Sequence, residues 1–293
     1  MPRISEQVLE NWTNPPSNSE ENKLSNSERM VREAISASPN LKSKTTETFG
    51  QGSYANNTNV KLNSDIDINV MYSDGMFYEL PAGASSKDYG ITPHSYTFTE
   101  YKKDIYDALV SKFGVNDVQW NDKCITIRGN TYRVETDVVP TWLHTRYESP
   151  NSTVEGCKFF SDNGKGILNY PKQHIQNGIN KSNQTHRRFK KLTRIHRKLR
   201  YQLIDEGVIA KDPISSFLLE CLVFNCPNDT FNKTSWNDRL KSSITFLYLS
   251  TDDAPKSNEW GEVSELLYLF KGRKWTQSDV KHYMGILWTY LEY

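Results

Sequence analysis

Apolar residues recur along this chain at two spacings, and the spacing changes from one half to the other. Near the start, "ISEQVLENW" reads as a short helix stopped by Pro15-Pro16, and the stretch from Ser19 to Ser36 reads as a capped helix. Leu24, Met30, Val31, Ala34 and Ile35 form its apolar stripe. "TTETF" is a short strand running into Gly50 and a Gly52-Ser53 turn, and "SDIDINVMY" alternates strictly, as a half-buried strand does. The Gly/Pro/Ser-rich stretch from Gly75 to Pro93 predicts a long surface loop. "TEYKKDIYDALVSKFG" predicts a helix ended by Gly114. "KCITIRGNTYRVETDVVPTWL" predicts a β-hairpin turning at Gly129-Asn130, and the strand signal fades after Tyr147. From Pro171 onward the chain reads as mainly helical, over 172–178, 185–207, 212–227, 235–251, 259–270 and 276–293. A mixed α/β first half therefore precedes an all-α second half.

The alternating strand poses a problem in electrostatics. Asp65 and Asp67 flank Ile66, so they share one face, roughly 7 Å apart along the strand. Ile66, Ile68 and Val70 take the other face and supply burial. Two ionised carboxylates side by side repel unless a cation intervenes, and hard divalent ions such as Mg²⁺ favour carboxylate oxygens. The hairpin offers a third acid: in "RVETDVVP", Asp137 faces away from the side of Val134 and Val138. If the hairpin lies beside the first strand, Asp137 completes a triad that holds two metal ions and clamps the attacking and leaving oxygens of a phosphoryl transfer. Upstream, Gly52-Ser53 closes a strand and opens a short helix, where backbone N–H groups and the Ser hydroxyl can hold a phosphate.

Composition narrows the classes. The chain has 293 residues, 36% hydrophobic and 12% aromatic, which describes a globular protein rather than a disordered one. No apolar run approaches the roughly 20 residues that span a bilayer. "MPRISEQVLENW" lacks a signal-peptide core, so a cytoplasmic location is expected. The four cysteines form no C-x-x-C pair, which argues against a zinc site or disulfide framework. Net charge is only +1, yet Arg187 to Arg200 holds eight Lys/Arg and no acid. Eight neighbouring cations repel, so a polyanion such as a nucleoside triphosphate is a reasonable partner, nucleic acid being the other. His174, His186 and His196 have helix-face spacing, and a hydrogen-bonded structural role is expected of His196. Tyr132, Trp142 and Tyr147 serve either as base-stacking rings or as core.

"FGQGSYANNTNVKLNSDIDINV", "RVETDVVP", the basic stretch and "SSFLLECLVFNCP" together resemble the bacterial cGAS/DncV-like nucleotidyltransferases (CD-NTases) of the polymerase-β-like nucleotidyltransferase superfamily. The resemblance runs from about Trp12 to Pro227. It implies an α+β fold with two lobes and the active site in the cleft: a mixed-sheet catalytic core over 1–165 and a helical lobe over 166–293. It implies condensation of NTPs, ATP and a second NTP, into a cyclic di- or trinucleotide second messenger with release of pyrophosphate, in anti-phage signalling. By the same resemblance Gly52 and Ser53 hold the donor triphosphate. Asp65, Asp67 and Asp137 bind two Mg²⁺, for which Mn²⁺ can substitute, and Asp137 helps activate the attacking hydroxyl. Ser216 touches the triphosphate and Phe217 stacks on a base. The family commonly has R-I-L-K on the basic helix, where this chain has Arg194-Ile195-His196-Arg197 followed by Lys198, so the phosphate cation is Arg197 or Lys198. The chain has no Cys/His insert of the kind that animal relatives use to sense duplex DNA. The expectation is a monomer that needs neither nucleic acid nor membrane and whose product is sensed by a downstream effector. Transfer to RNA, to protein or to a small molecule is the alternative chemistry, and a catalytically silent nucleotide-binding module is the non-enzymatic one.

Overall fold

The computed structural model describes residues 2–15, 18–60, 66–149, 151–211 and 214–293. In chain order the elements are α1 (Glu6–Trp12), α2 (Asn18–Ala37), β1 (Thr46–Gln51), α3 (Gly52–Ala55), β2 (Ile66–Glu79), α4 (Phe98–Phe113), β3 (Val118–Trp120), β4 (Ile125–Ile127) and β5 (Thr136–Ser149). They continue with β6 (Ser152–Phe160), β7 (Gly166–Asn169), α5 (Pro171–Gln184), α6 (Arg188–Asp205), α7 (Ser216–Asn225), α8 (Asn228–Phe231), α9 (Trp236–Asp252), α10 (Ala254–Ser257) and α11 (Gln277–Tyr290).

Two compact units result. One comprises Ser17–Tyr54 and Leu62–Pro171, the other Met1–Pro16, Ala55–Lys61 and Lys172–Tyr293. The first is built on a seven-stranded mixed sheet of order β1-β2-β5-β4-β3, with β6 continuing along β5 and β7 pairing β6. β2 and β5 run parallel, and β1 and β4 flank them antiparallel. One face of this central pair is apolar: Ile66, Ile68, Val70 and Val138 are fully buried under α2 and α4 with Leu24, Val31, Ile105 and Leu109. Each such side chain contributes about 1.5–3 kcal/mol. α4 starts in a capping box between Thr97 and Glu100, and its Tyr101 hydroxyl donates to the Val70 carbonyl at 2.7 Å, which fixes the helix to β2.

The second unit is helical around its own core, which includes Leu192, Ile195, Leu199, Leu222, Leu240 and Leu287. Two short pieces from the first half of the chain join it, so the expected boundary after residue 165 is redrawn. Leu9 of α1 is buried in the helical core, and the Glu6 carboxylate accepts from the Trp236 and Asn237 amides at 2.6 and 3.0 Å, at the N-terminus of α9. Residues 55–61 join through Asn57, whose carbonyl accepts from Arg194. β7, lying beyond residue 165, stays with the sheet.

Three expectations of secondary structure change. The strand signal does not end at Tyr147, because β6 and β7 extend the sheet. Their signal is hidden by Gly156, where a Cβ would lie 2.7 Å from the Tyr170 ring. β2 runs on to Glu79 across a bulge after Tyr72, so the loop after Gly75 is shorter than expected. The stretch 259–270 is not a helix. Gly261 bridges Tyr268, and the Gly261 and Val263 carbonyls accept from Asn225 and Asn177. Trp260, Val263, Leu269 and Phe270 are buried from this irregular path, which explains their helix-like spacing. No described helix is long and apolar enough to cross a membrane.

Candidate active site

The polar face of the central strands gathers the acids. In the parallel register of β2 and β5, Asp67 stands directly opposite Asp137. Neighbouring strands lie about 4.8 Å apart, and directly paired residues of a parallel pair share a face. Strand alternation aims both acids away from the core, since Ile66, Ile68 and Val138 fill the opposite face. Both are half-buried. On one flank, Gln51 of β1 pairs Asp67; on the other, Thr126 of β4 pairs Asp137. Four strands thus contribute one rung, in the order Gln51, Asp67, Asp137, Thr126.

The rung is supported at Gln51, Asp137 and Thr126. The Thr126 hydroxyl donates to Asp137 Oδ1 at 2.5 Å and accepts from Asn121 Nδ2 at 2.7 Å. Asn69 Nδ2 donates to Gln51 Oε1 at 3.1 Å, and Thr141 Oγ1 donates to Asn69 Oδ1 at 2.6 Å, a buried ladder one step behind the acids. Cys124 lies beside this group, and burial, reinforced by the Asp137 charge, pushes its thiol up to about 11.

Gly52 begins α3 immediately after Gln51, as the Gly-Ser turn requires. Its φ is +69°, and a Cβ there would sit 2.1 Å from Asp67 Oδ2. The residue is glycine because the backbone must bend into a left-handed conformation and pass against a carboxylate. Gly52→Ala is therefore expected to displace the Asp67 carboxylate and to lower turnover by at least about 100-fold, with a stability loss of about 1–3 kcal/mol from the strained φ. Parallel turnover and thermal-melt measurements check both. Ser53 follows, half-buried.

The donor set fits a hard divalent cation: carboxylates from adjacent strands on one polar face, with a glycine turn pressed against one of them. Among the described residues no three His, Cys, Asp or Glu side chains converge. Asp65, the remaining member of the expected triad, lies outside the described residues.

Comparison with known proteins gives the family. Residues 6–164 match the Second Messenger Oligonucleotide or Dinucleotide Synthetase domain, and residues 176–292 match the cGAS/DncV-like nucleotidyltransferase C-terminal helical domain. The chain belongs to the cGAS/DncV-like nucleotidyltransferases. It is 59% identical to the cyclic dipyrimidine nucleotide synthase CdnE of Cecembia lonarensis over the full length of both. It is 38% identical to a cyclic dipurine nucleotide synthase of Elizabethkingia meningoseptica over 99% of each chain. Its fold matches the CdnE c-UMP-AMP synthase of Rhodothermus marinus, solved with Apcpp and Upnpp, at a TM-score of 0.85 and 26% identity, over 98% of this chain and 97% of that one.

In this nucleotidyltransferase the residues expected to bind nucleotide from the helical half divide. Lys198 is half-exposed on α6. Ser216, also half-exposed, opens α7 with its hydroxyl 3.4 Å from that of Tyr201. Phe217 is 37% exposed and stacks on Trp275 at 5.7 Å, which occupies one face of its ring. Arg197 is engaged inside the helical unit rather than presented to solvent. It is 4% exposed, and its guanidinium donates to Glu220 Oε2 at 2.6 Å. The other Glu220 oxygen accepts from His174 Nε2 at 3.2 Å, and Thr58 Oγ1 donates to Oε2 at 2.9 Å. Burial alone would raise the Glu220 carboxyl, but Arg197, His174 and Thr58 outweigh it and hold it below the ordinary carboxylate range.

The basic run as a whole is less available than its composition implies. Arg194 donates to the Thr13 carbonyl at 2.7 Å, and Arg200 caps the Ile214 and Lys211 carbonyls. His196 is buried with Nε2 2.8 Å from Ser243 Oγ, and burial pushes it down to about 4, so it is a neutral structural group, in line with expectation. Trp142 belongs to the sheet core, and Tyr147 packs on Tyr89. Thr126, Asn121, Asn69 and Glu220 were not singled out by the sequence. Only Thr126 carries a usable signal: it alternates with Ile125 and Ile127 on a hairpin whose register can be counted from Asp137.

Proposed function

We propose that this protein is a metal-dependent synthase that joins two pyrimidine nucleoside triphosphates into a cyclic dinucleotide for anti-phage signalling. The observation that carries the chemistry is the Asp67–Asp137 rung with Gly52 against Asp67. The pyrimidine preference rests on the relative that shares 59% of its residues.

Asp65, Asp67 and Asp137 would hold two Mg²⁺, or Mn²⁺ in their place. Once bound, the ions supply charge neutralisation on the α-phosphate and the leaving pyrophosphate. The chain's own groups do the remainder. Gly52 and Ser53 hold the donor triphosphate. Asp137, with Oδ1 engaged by Thr126, accepts the proton of the acceptor's ribose hydroxyl at its other oxygen. The ribose oxygen bonds to the α-phosphorus, the bond to the β-phosphate oxygen breaks, and pyrophosphate leaves. A second round closes the ring. Nucleotide contacts from Lys198, Ser216 and Phe217 belong to the same proposal, as do a cytoplasmic monomer and activity without nucleic acid.

The test is incubation with Mg²⁺ and α-labelled NTPs, singly and in pairs, followed by phosphatase and chromatography against synthetic cyclic dinucleotides. The expected product is phosphatase-resistant, forms from CTP, UTP or both without a purine nucleotide, and forms at a rate that duplex DNA leaves unchanged. A product that requires ATP or GTP would overturn the pyrimidine assignment. Label on RNA or on protein would favour the other acceptors. No release of pyrophosphate from any NTP mixture would overturn the enzymatic reading.

A further inference from the structure

The outer flank of the acid rung is occupied by an uncharged residue that touches no reacting atom in the scheme above. Thr126 Oγ1 both donates and accepts: its one proton goes to Asp137 Oδ1, and Asn121 Nδ2 donates into its lone pair. Because a hydroxyl has one hydrogen, the Asn121 contact determines where that hydrogen points. Asn121 is itself fixed. It starts the turn from β3 to β4, with its amide on the Cys124 carbonyl at 3.0 Å. Lys102, 3% exposed, donates Nζ to the Asn121 and Asp122 carbonyls at 2.8 and 3.0 Å and to Asp162 Oδ1 at 2.6 Å. The Asp162 amide closes the arrangement on Asp122 Oδ1 at 2.8 Å. A buried cation therefore pins a turn, the turn pins an amide, and the amide orients a hydroxyl on one oxygen of the third acid.

We propose that Thr126 is a positioning residue for Asp137: it holds Oδ1 and fixes the carboxylate plane so that the other oxygen faces the metal and the acceptor hydroxyl. This rests on the metal-site reading given above. Carboxylates that bind metals are commonly oriented by a further hydrogen bond, and losing such a partner costs about 10–100-fold in metal affinity or activity. The bland alternative, that Thr126 merely completes a strand pair, predicts no effect on metal binding.

Thr126→Val keeps the branched shape and removes the hydroxyl, whereas Thr126→Ser keeps the hydroxyl. Binding of Mn²⁺ alone, without nucleotide, is measured by electron paramagnetic resonance on folded protein, alongside the Mg²⁺ concentration giving half-maximal rate. Thr126→Val is expected to weaken Mn²⁺ binding about 10-fold and to raise the Mg²⁺ requirement in parallel, with Thr126→Ser within about threefold of the natural protein. Should Thr126→Val melt early, Asn121→Ala carries the test, with an expected weakening of about three- to tenfold. Natural protein that binds Mn²⁺, with unchanged affinity in Thr126→Val and Asn121→Ala, would overturn this inference alone. Natural protein that fails to bind Mn²⁺ would overturn the metal reading and this inference with it.

Discussion

Asp137→Ala and Asp67→Ala are each expected to abolish product formation, with rates at least about 10³-fold below the natural protein. Loss of a metal-binding carboxylate removes several kcal/mol of charge stabilisation in the transition state, and each 1.4 kcal/mol is about tenfold in rate. Both acids are half-buried on the polar face, opposite the apolar core, so folding survives. Removing one of two adjacent like charges relieves repulsion, and the melting temperature should hold or rise slightly. Asp137→Asn refines the test. It keeps an acceptor for the Thr126 hydroxyl and the shape of the side chain but not the charge, so it separates orientation from electrostatics. The expected loss equals that of alanine. Turnover of α-labelled NTPs checks the rates and calorimetry checks the fold. More than about a tenth of normal activity in either alanine variant would remove these acids from the chemistry.

The second large effect falls on stability. Arg197→Ala leaves Glu220 buried with one strong donor missing, and breaking a buried ion pair in this way costs about 3–5 kcal/mol. For a chain of this size that lowers the melting temperature by on the order of 10 °C. Glu220→Ala should cost a similar amount, since it strands the Arg197 guanidinium. The pair also sets an acid limit. Glu220 sits below its ordinary value of 4.5 in the folded state, so the unfolded chain takes up its proton first as pH falls. Its stabilisation is therefore complete above that value and is lost as pH drops through the lower folded one. Melting curves from pH 7 to pH 3 should fall less steeply in Glu220→Gln than in the natural protein. If Arg197 were instead a phosphate ligand, Arg197→Ala would raise KM for NTP and leave the melting temperature unchanged.

The contrast between these two sites shows what can be read from residue order. Asp67, Asp137 and Gly52 were legible because strand alternation assigns faces without knowledge of the partner strand, and because a Gly-Ser turn, an ordinary turn alone, becomes specific beside a D-x-D strand and a later acid. Thr126 needs the register of a third strand, which alternation alone does not supply. Arg194, Arg197 and Arg200 read as part of a cationic run suited to a polyanion, because charge is counted the same whether a guanidinium meets a ligand or an internal carbonyl. In the fold, all three are buried against internal acceptors. The apolar spacing of 259–270 fits a helix and an irregular buried turn equally well. Gly261 and the two asparagines that hold its neighbourhood decide between them.

Because four adjacent strands each place one side chain on a single rung, the site is an all-or-none property of strand pairing. Sliding β2, β5 or β4 by a residue would turn its contribution to the opposite face and take the acid or hydroxyl off the rung. A mispaired molecule is thus silent rather than sluggish, and the specific activity of a preparation counts the molecules whose strands have found the right neighbours.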